Sequence, residues 1–324
     1  MRKLILHIGY PKTGTTTLQA FLARNGAALT ARGVIYPSAG LVHEAHYGVN
    51  FALGLALHDR PEGFQVSGTI PADIAAEADA SGVDTVVLSS EYFITAKPAA
   101  IRRVREFFAD FEVRIVCYLR RHDDALESAY AQAVKTVVDP PWHDSIQGFL
   151  LHNAGLGTVS YEYLGVLRQW AGVFGAGNII VRPYEAAQNV PDLPGDFLRA
   201  IGVEDGPDFV RPPSANRSIG PLVAAAIRMV RRGGLEDGLK RKVVGRLIQR
   251  AGREREGDRF LTPVEREAIV RRYEWMYPMI ASEFMGRGDG VLFTAGRPEA
   301  QGGATAVAYS AEQVFETVLR AVVQ

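Results

Sequence analysis

The sequence predicts an α/β protein, a three-layer α/β/α arrangement around a central parallel sheet with a helical C-terminal part. Three observations predict it. Short apolar, β-prone runs (3–8, 83–89, 113–119 and 178–183) recur along the chain. Segments of helical spacing separate them, as in Thr17 to Arg32, where Leu18, Phe21, Leu22 and Leu29 share a side. With 324 residues, 47% of them hydrophobic and 22% charged, the chain can bury a full core. Strands alternating with helices pair in parallel and carry helices on both faces.

The expected order is strand 3–8, helix 15–31, an irregular stretch 36–70, strand 83–89, helix 98–110, strand 113–119 and helix 123–138. Helix 161–174, strand 178–183, helix 192–201 and a helical C-terminal part follow. The stretch from Val138 to Thr158, with Pro140-Pro141-Trp142 and Gly155-Leu156-Gly157, reads as a loop able to form a lid. Residues 1–285 read as one domain, with a core over about 1–220 and a helical part over about 221–285. A Gly-rich linker (Gly286 to Ala304) and an amphipathic helix (Ala311 to Val323) make up 286–324.

The first strand runs into His7-Ile8-Gly9-Tyr10-Pro11-Lys12-Thr13-Gly14-Thr15-Thr16 and then into a helix. Such a turn presents backbone N–H groups and a positive helix end to an anion. The nucleotide triphosphatase loop, G-x-x-x-x-G-K-[ST], places its lysine after the second glycine. Here Gly9 and Gly14 are wrongly spaced for it and Lys12 precedes Gly14. The strand expected over 113–119 runs into Arg120-Arg121, and a helix with Asp123 and Asp124 in its first turn follows.

The P-K-T-G-T-T loop resembles the 5′-phosphosulfate loop of sulfotransferases, which use 3′-phosphoadenosine 5′-phosphosulfate (PAPS). Arg120 and Ser128 have the separation of the arginine and serine with which that family binds the donor's 3′-phosphate. The chain is thus similar to sulfotransferases, most of all to bacterial cytoplasmic members whose loop reads H-I-G-x-x-K-T-G-T-T-[TS]-L-Q, and the family's P-loop NTPase-like fold is implied. By resemblance Lys12, Gly14, Thr15 and Thr16 hold the phosphosulfate, with Thr13 and Thr17 beside them, and Arg120 and Ser128 hold the 3′-phosphate. Tyr184, in a Tyr-Glu pair ending a late strand, is implied to lie near the adenine, and Arg217 of Asn216-Arg217-Ser218 to reach the 3′-phosphate. Many animal cytosolic members have a stacking tryptophan where this chain has Thr17.

Several residues keep two readings. Arg121 can serve the site or pair with Asp123, Asp124 or Glu127. The acceptor hydroxyl needs a base; Glu91, after the strand ending in Ser89-Ser90, is the first choice, against a carboxylate that orients a cation or caps a helix. His43 and His46, three apart and able to share a helix face, are its rivals as base, as lining of the acceptor pocket or as surface residues. His7 reads as a core histidine, and the basic stretch 228–256 either guides an anionic acceptor or is a solvated helix face.

The resemblance implies transfer of a sulfuryl group from PAPS, leaving 3′-phosphoadenosine 5′-phosphate (PAP), to a hydroxyl of a carbohydrate, lipid or small molecule. Lys12 would stabilise the leaving phosphate, and no metal is expected. The alternatives are a P-loop-type nucleotide kinase and a non-catalytic nucleotide-binding protein of the same fold. A net charge of zero, from 36 basic and 36 acidic residues, argues against general nucleic-acid affinity. Cys117 alone permits no intramolecular disulfide. With no signal peptide or membrane span, a soluble cytoplasmic enzyme without membrane insertion is the expectation.

Overall fold

A computed structural model describes residues 2–55, 69–156, 161–212, 218–251, 258–296 and 309–322. In chain order the elements begin with β1 (Arg2–His7), α1 (Thr15–Arg24), α2 (Gly26–Thr30), β2 (Val34–Ile35), α3 (Tyr47–Ala52) and α4 (Ile70–Ser81). β3 (Thr85–Ser89), α5 (Pro98–Phe107), β4 (Phe111–Leu119), α6 (His122–Thr136), α7 (Ile146–Leu156) and α8 (Tyr163–Phe174) follow. β5 (Ile179–Pro183), α9 (Leu193–Ala200), α10 (Pro221–Arg232), α11 (Asp237–Arg250), α12 (Pro263–Tyr273), α13 (Tyr277–Met285) and α14 (Ala311–Val322) complete the chain. They form two compact units: Met1–Arg120 with Val159–Ala215 and Tyr273–Ala295, and Arg121–Thr158 with Asn216–Arg272 and Gly296–Gln324.

The first unit holds a parallel five-stranded sheet in the order β2-β3-β1-β4-β5. A period of two sends successive side chains to opposite faces. Leu4, Leu6, Val86, Leu88, Ile115 and Cys117 join a core with helices α4, α5, α8 and α13, through residues such as Ile101, Trp170 and Ile280. Ile5, Val87, Val116 and Tyr118 join a second core with Leu18 and Phe21 of α1 and Phe197 of α9. The two cores make the three layers, and burying each large apolar side chain contributes about 1.5–3 kcal/mol. A buried polar clamp fixes one layer. The wholly buried Asp196 of α9 accepts from Tyr118 Oη at 2.7 Å and Arg182 Nε at 3.0 Å, which ties α9 to β4 and β5.

After β1 the chain moves to β2 on one side of the sheet, and after β4 it moves to β5 on the other. The carboxyl ends of β1 and β4 therefore flank the point where the connections diverge, the usual ligand crevice of open α/β sheets.

The structure corrects the expected elements in several places, and α4 stands where no element was expected. The helix expected over 15–31 breaks at Asn25, whose amide bonds Phe21 O at 2.7 Å and both backbone groups of Val210. An asparagine side chain that bonds backbone in this way competes with the helix ladder. The two-residue edge strand β2 is too short to leave a periodic signal. The stretch expected to be irregular over 36–70 carries α3, with residues 56–68 outside the described set. The loop expected over 138–158 carries α7, because Pro140-Pro141 precede that helix rather than interrupt it. Residues 297–304 of the expected linker lie outside the described residues.

The second unit is helical, with Tyr130, Ile146, Ile227, Leu247 and Val314 in its core. Some of its arginines close helix ends. Arg246 Nη1 donates to Ala321 O at 3.0 Å and Val322 O at 3.2 Å, and Arg250 donates to Arg320 O, which satisfies carbonyls left open at the end of α14. These arginines of the basic stretch therefore serve as helix caps; Arg253 and Arg255 lie outside the described residues. Among the described residues no helix is long and apolar enough to cross a membrane.

Candidate functional site

The loop between β1 and α1 is shaped by three residues with positive φ: Gly9 (30°), Lys12 (69°) and Gly14 (77°). Gly14 is obligatory, since a Cβ there would lie 2.4 Å from Leu193 Cδ2 and 3.0 Å from Tyr184 Cε2. Lys12 is a non-glycine residue in the left-handed region, a conformation kept only where the surroundings enforce it. Thr13 supplies part of that enforcement by donating its buried hydroxyl to Tyr10 O at 2.6 Å. Gly14 caps α1 without a side chain, and the first turn of α1 has no acidic residue. The amides that open this helix thus face outward without an internal acceptor, the arrangement that suits a phosphate or sulfate oxygen. Thr15 is buried, Thr16 exposed and Thr17 half-buried in that same turn.

Arg120 stands at the end of β4, half-buried. Its Nη1 donates to Lys12 O at 3.0 Å, and its guanidinium lies 5.5 Å from the centre of the Tyr184 ring. Tyr163 Oη holds the Arg120 carbonyl at 2.9 Å, and Tyr184 N bonds Leu119 O, extending the β4–β5 pairing. The structure therefore gathers Lys12, Gly14, Arg120 and Tyr184 at the diverging carboxyl ends of β1 and β4. Glu185, the other half of the Tyr-Glu pair, turns to a structural task. Burial pushes its carboxyl up, but bonds from Gln188, Thr294 and Ala295 outweigh that and hold it below the ordinary carboxylate value.

Glu91 follows β3 and opens a 3₁₀ turn that Ser90 Oγ caps by accepting from Tyr92 N. Its Oε2 accepts from Thr15 Oγ1 at 3.2 Å, so the carboxylate reaches the phosphate loop directly. Tyr47 and Tyr92 pack on each other beside it, their rings tilted by 31° with centres 4.8 Å apart. Burial and then the nearby Glu91 charge push the Tyr47 phenol up to about 12, and the same two causes raise Tyr92. Both phenols therefore stay protonated as donors. Sequence reasoning missed this tyrosine pair, because 45 positions separate its members and no local pattern joins them.

His46 is wholly buried, with Nε2 donating to Pro37 O at 3.0 Å and Nδ1 accepting from Ser89 N at 3.2 Å. Both ring nitrogens hold backbone, and burial lowers the imidazole to about 4. This geometry leaves no lone pair for an acceptor proton, so the base role expected of His46 is withdrawn. His43 is exposed in a turn with φ 57°, and the two histidines share no helix face. His7 is a core histidine under Gly9, bonded through Nδ1 to Ser89 Oγ at 2.7 Å and lowered to about 3 by burial. Cys117 is buried and its thiol is raised by desolvation.

In the second unit, Ser128 is half-buried on α6. Arg121 forms the ion pair that was one of its two readings, with Nε 2.7 Å and Nη2 2.9 Å from the wholly buried Asp123. Arg217 lies outside the described residues. Among the described residues, no group of three or more His, Cys, Asp or Glu side chains is placed to hold a metal.

No family model matches the chain. A protein of Archaeoglobus fulgidus described as uncharacterized is 34% identical over 121 residues, which are 37% of this chain and 30% of that protein. The chain thus spans under a third of the length of that relative. Among solved structures, a sulfotransferase from Alicyclobacillus acidocaldarius aligns over 71% of this chain and 91% of its own, with 17% identity and a TM-score of 0.41.

Proposed function

We propose that the chain is a PAPS-dependent sulfotransferase. The observation that carries this reading is the bridge from Arg120 to the carbonyl of Lys12, which joins the strained loop to the end of β4. The pieces suit the donor. Loop amides and Lys12 match the phosphosulfate, the fork of Arg120 matches the 3′-phosphate, and the Tyr184 ring is a surface for the nucleoside. Arg217 and Ser128 enter this reading through the sequence resemblance alone.

In the proposed reaction an acceptor hydroxyl oxygen attacks sulfur in line. The new O–S bond forms as the bond from sulfur to the bridging phosphate oxygen breaks. Glu91 takes the hydroxyl proton, and Lys12 with the loop amides stabilises the charge that develops on the departing PAP. The acceptor is proposed to be a small molecule or glycan carrying a hydroxyl.

Parallel calorimetric titrations with PAP and with ATP plus magnesium test the donor. Micromolar PAP binding that Arg120→Ala weakens about a hundredfold, with ATP silent, supports the reading; tight ATP–magnesium binding with PAP silent overturns it in favour of a kinase. Glu91→Gln then separates an enzyme from a binding protein. It should leave PAP affinity unchanged while turnover of the donor falls by about 10²–10⁴.

A further inference from the structure

The second unit contains a cavity of about 320 Å³ between the end of α6, the turn that follows it, and α10. Its lining is mixed, with an apolar part from Ala133, Val134 and Val137 of the α6 end together with Pro140 and Trp142. Three arginines of α10 border it, and they differ in what they are doing. Arg231 gives Nη1 to the carbonyls of Val134 and Val137 and Nη2 to that of Lys135, which closes the end of α6. Arg232 is exposed and paired with Asp144. Arg228 is half-buried and donates Nη1 to Tyr130 Oη at 2.9 Å, with no ion pair among the described residues.

Tyr130 in turn donates to Asp144 O at 2.7 Å, so its hydroxyl is satisfied and holds Arg228 in place. A half-buried cation fixed by a neutral phenol, with its charge unmatched, is costly unless something negative joins it. The remaining carboxylate on the wall, Asp139, is exposed. The turn itself is held in shape. His143 adopts φ 60°, a Cβ on Gly148 would meet the backbone Trp142 O at 2.3 Å, and Phe149 of α7 packs edge-on to the indole with ring centres 5.2 Å apart.

We infer that this cavity binds a small organic monoanion, an apolar body carrying one terminal anionic group that Arg228 receives. The volume fits a small ligand site, the apolar wall and indole take the body, and a guanidinium with open donors takes a carboxylate or sulfate ester. A free inorganic anion uses the arginine alone and forgoes the apolar wall. The inference does not depend on the phosphate loop, and PAP titration tests that loop separately.

The test is titration of the full chain with 2-naphthyl sulfate, followed by tryptophan fluorescence and by calorimetry. 2-Naphthoate serves as the carboxylate counterpart, and 2-naphthol and inorganic sulfate as controls. Saturable quenching by either naphthyl anion is expected, with naphthol and sulfate each at least tenfold weaker. Trp142→Phe should remove most of the quenching while the calorimetric heat persists. Arg228→Met should weaken binding at least tenfold, and Arg228→Lys less. Ala133→Phe, which keeps every charge and fills the cavity, should abolish binding even if Arg228→Met fails to fold. Equal affinity for naphthol, binding that survives Ala133→Phe, or no saturation at millimolar ligand would each overturn the proposal. Whether sulfate ester or carboxylate binds more tightly identifies the anionic group.

Discussion

Two consecutive arginines at the end of β4 have opposite surroundings. Arg120 is matched with neutral groups, the carbonyl of Lys12 and the ring of Tyr184, and has no ion pair among the described residues. Arg121 is closed onto Asp123 by two bonds, and Asp123 also pairs with Arg266 at 2.7 Å. The difference separates a cation kept available from a cation that organises its own helix. A guanidinium already neutralised by a buried carboxylate would have to break that pair before it could take a phosphate. One held by dipoles keeps its charge for a ligand.

The sharpest way to break the comparison is to truncate each arginine in turn. Arg121→Ala leaves the wholly buried Asp123 with Arg266 as its remaining ion-pair partner, and the expected loss of stability is about 3 kcal/mol. Urea unfolding should read that loss, while PAP affinity measured on the folded protein stays within about threefold. Arg120→Ala should do the reverse, weakening PAP about a hundredfold, near 2.7 kcal/mol, with stability altered by under about 1 kcal/mol. If both variants lose PAP equally, the distinction fails.

Acid should separate the two surroundings next. An unfolded histidine takes its proton near 6.5, whereas His46 resists until about 4 and His7 until about 3. Between those values the unfolded chain binds more protons, so stability falls as pH drops below 6.5 and levels off below the folded values. For His46 the full effect is on the order of 3 kcal/mol. Asp123 behaves differently. Burial raises its carboxyl, but Arg121 and then Arg266 outweigh this and hold it below 3.8. Its stabilisation is intact above 3.8 and is lost only as pH falls through the lower folded value. Stability measured against pH should therefore show an early decline that His46→Gln makes shallower, His7 keeping its own share, and a later one that Arg121→Ala removes. A single decline untouched by either substitution would contradict the assignment.

The layers and the positions of the main strands along the chain were legible because alternate strand residues feed two cores, which forces apolar runs that sequence displays directly. Gly14 and Lys12 were legible because the loop is local. What the sequence concealed is convergence over distance. Nothing in residues 12, 91 and 120 shows that Arg120 holds the Lys12 carbonyl or that Glu91 takes the Thr15 hydroxyl, since those contacts exist only once β3, β1 and β4 lie side by side. His46 misled for the same reason. A histidine spaced three residues from another looks available until Pro37 O and Ser89 N are seen to occupy both its nitrogens. Arg120 and Arg121 likewise look alike in sequence, because a partner rather than a neighbour decides each one's role.

The smallest effect probes what keeps Arg120 available. Its guanidinium lies over the face of Tyr184, and a half-exposed contact of this kind is worth about 0.5–1 kcal/mol. That ring also presses on Gly14, whose Cβ position lies 3.0 Å from Tyr184 Cε2. Tyr184→Phe keeps both the face and the packing, so PAP affinity should change by less than twofold if the ring acts through its π surface. Tyr184→Leu removes the face while retaining apolar bulk, and should weaken PAP about two- to fivefold. Calorimetry resolves that range. A loss with Tyr184→Phe as large as with Tyr184→Leu would move the role from the ring to the hydroxyl, and Arg120 would then be held by the Lys12 carbonyl alone.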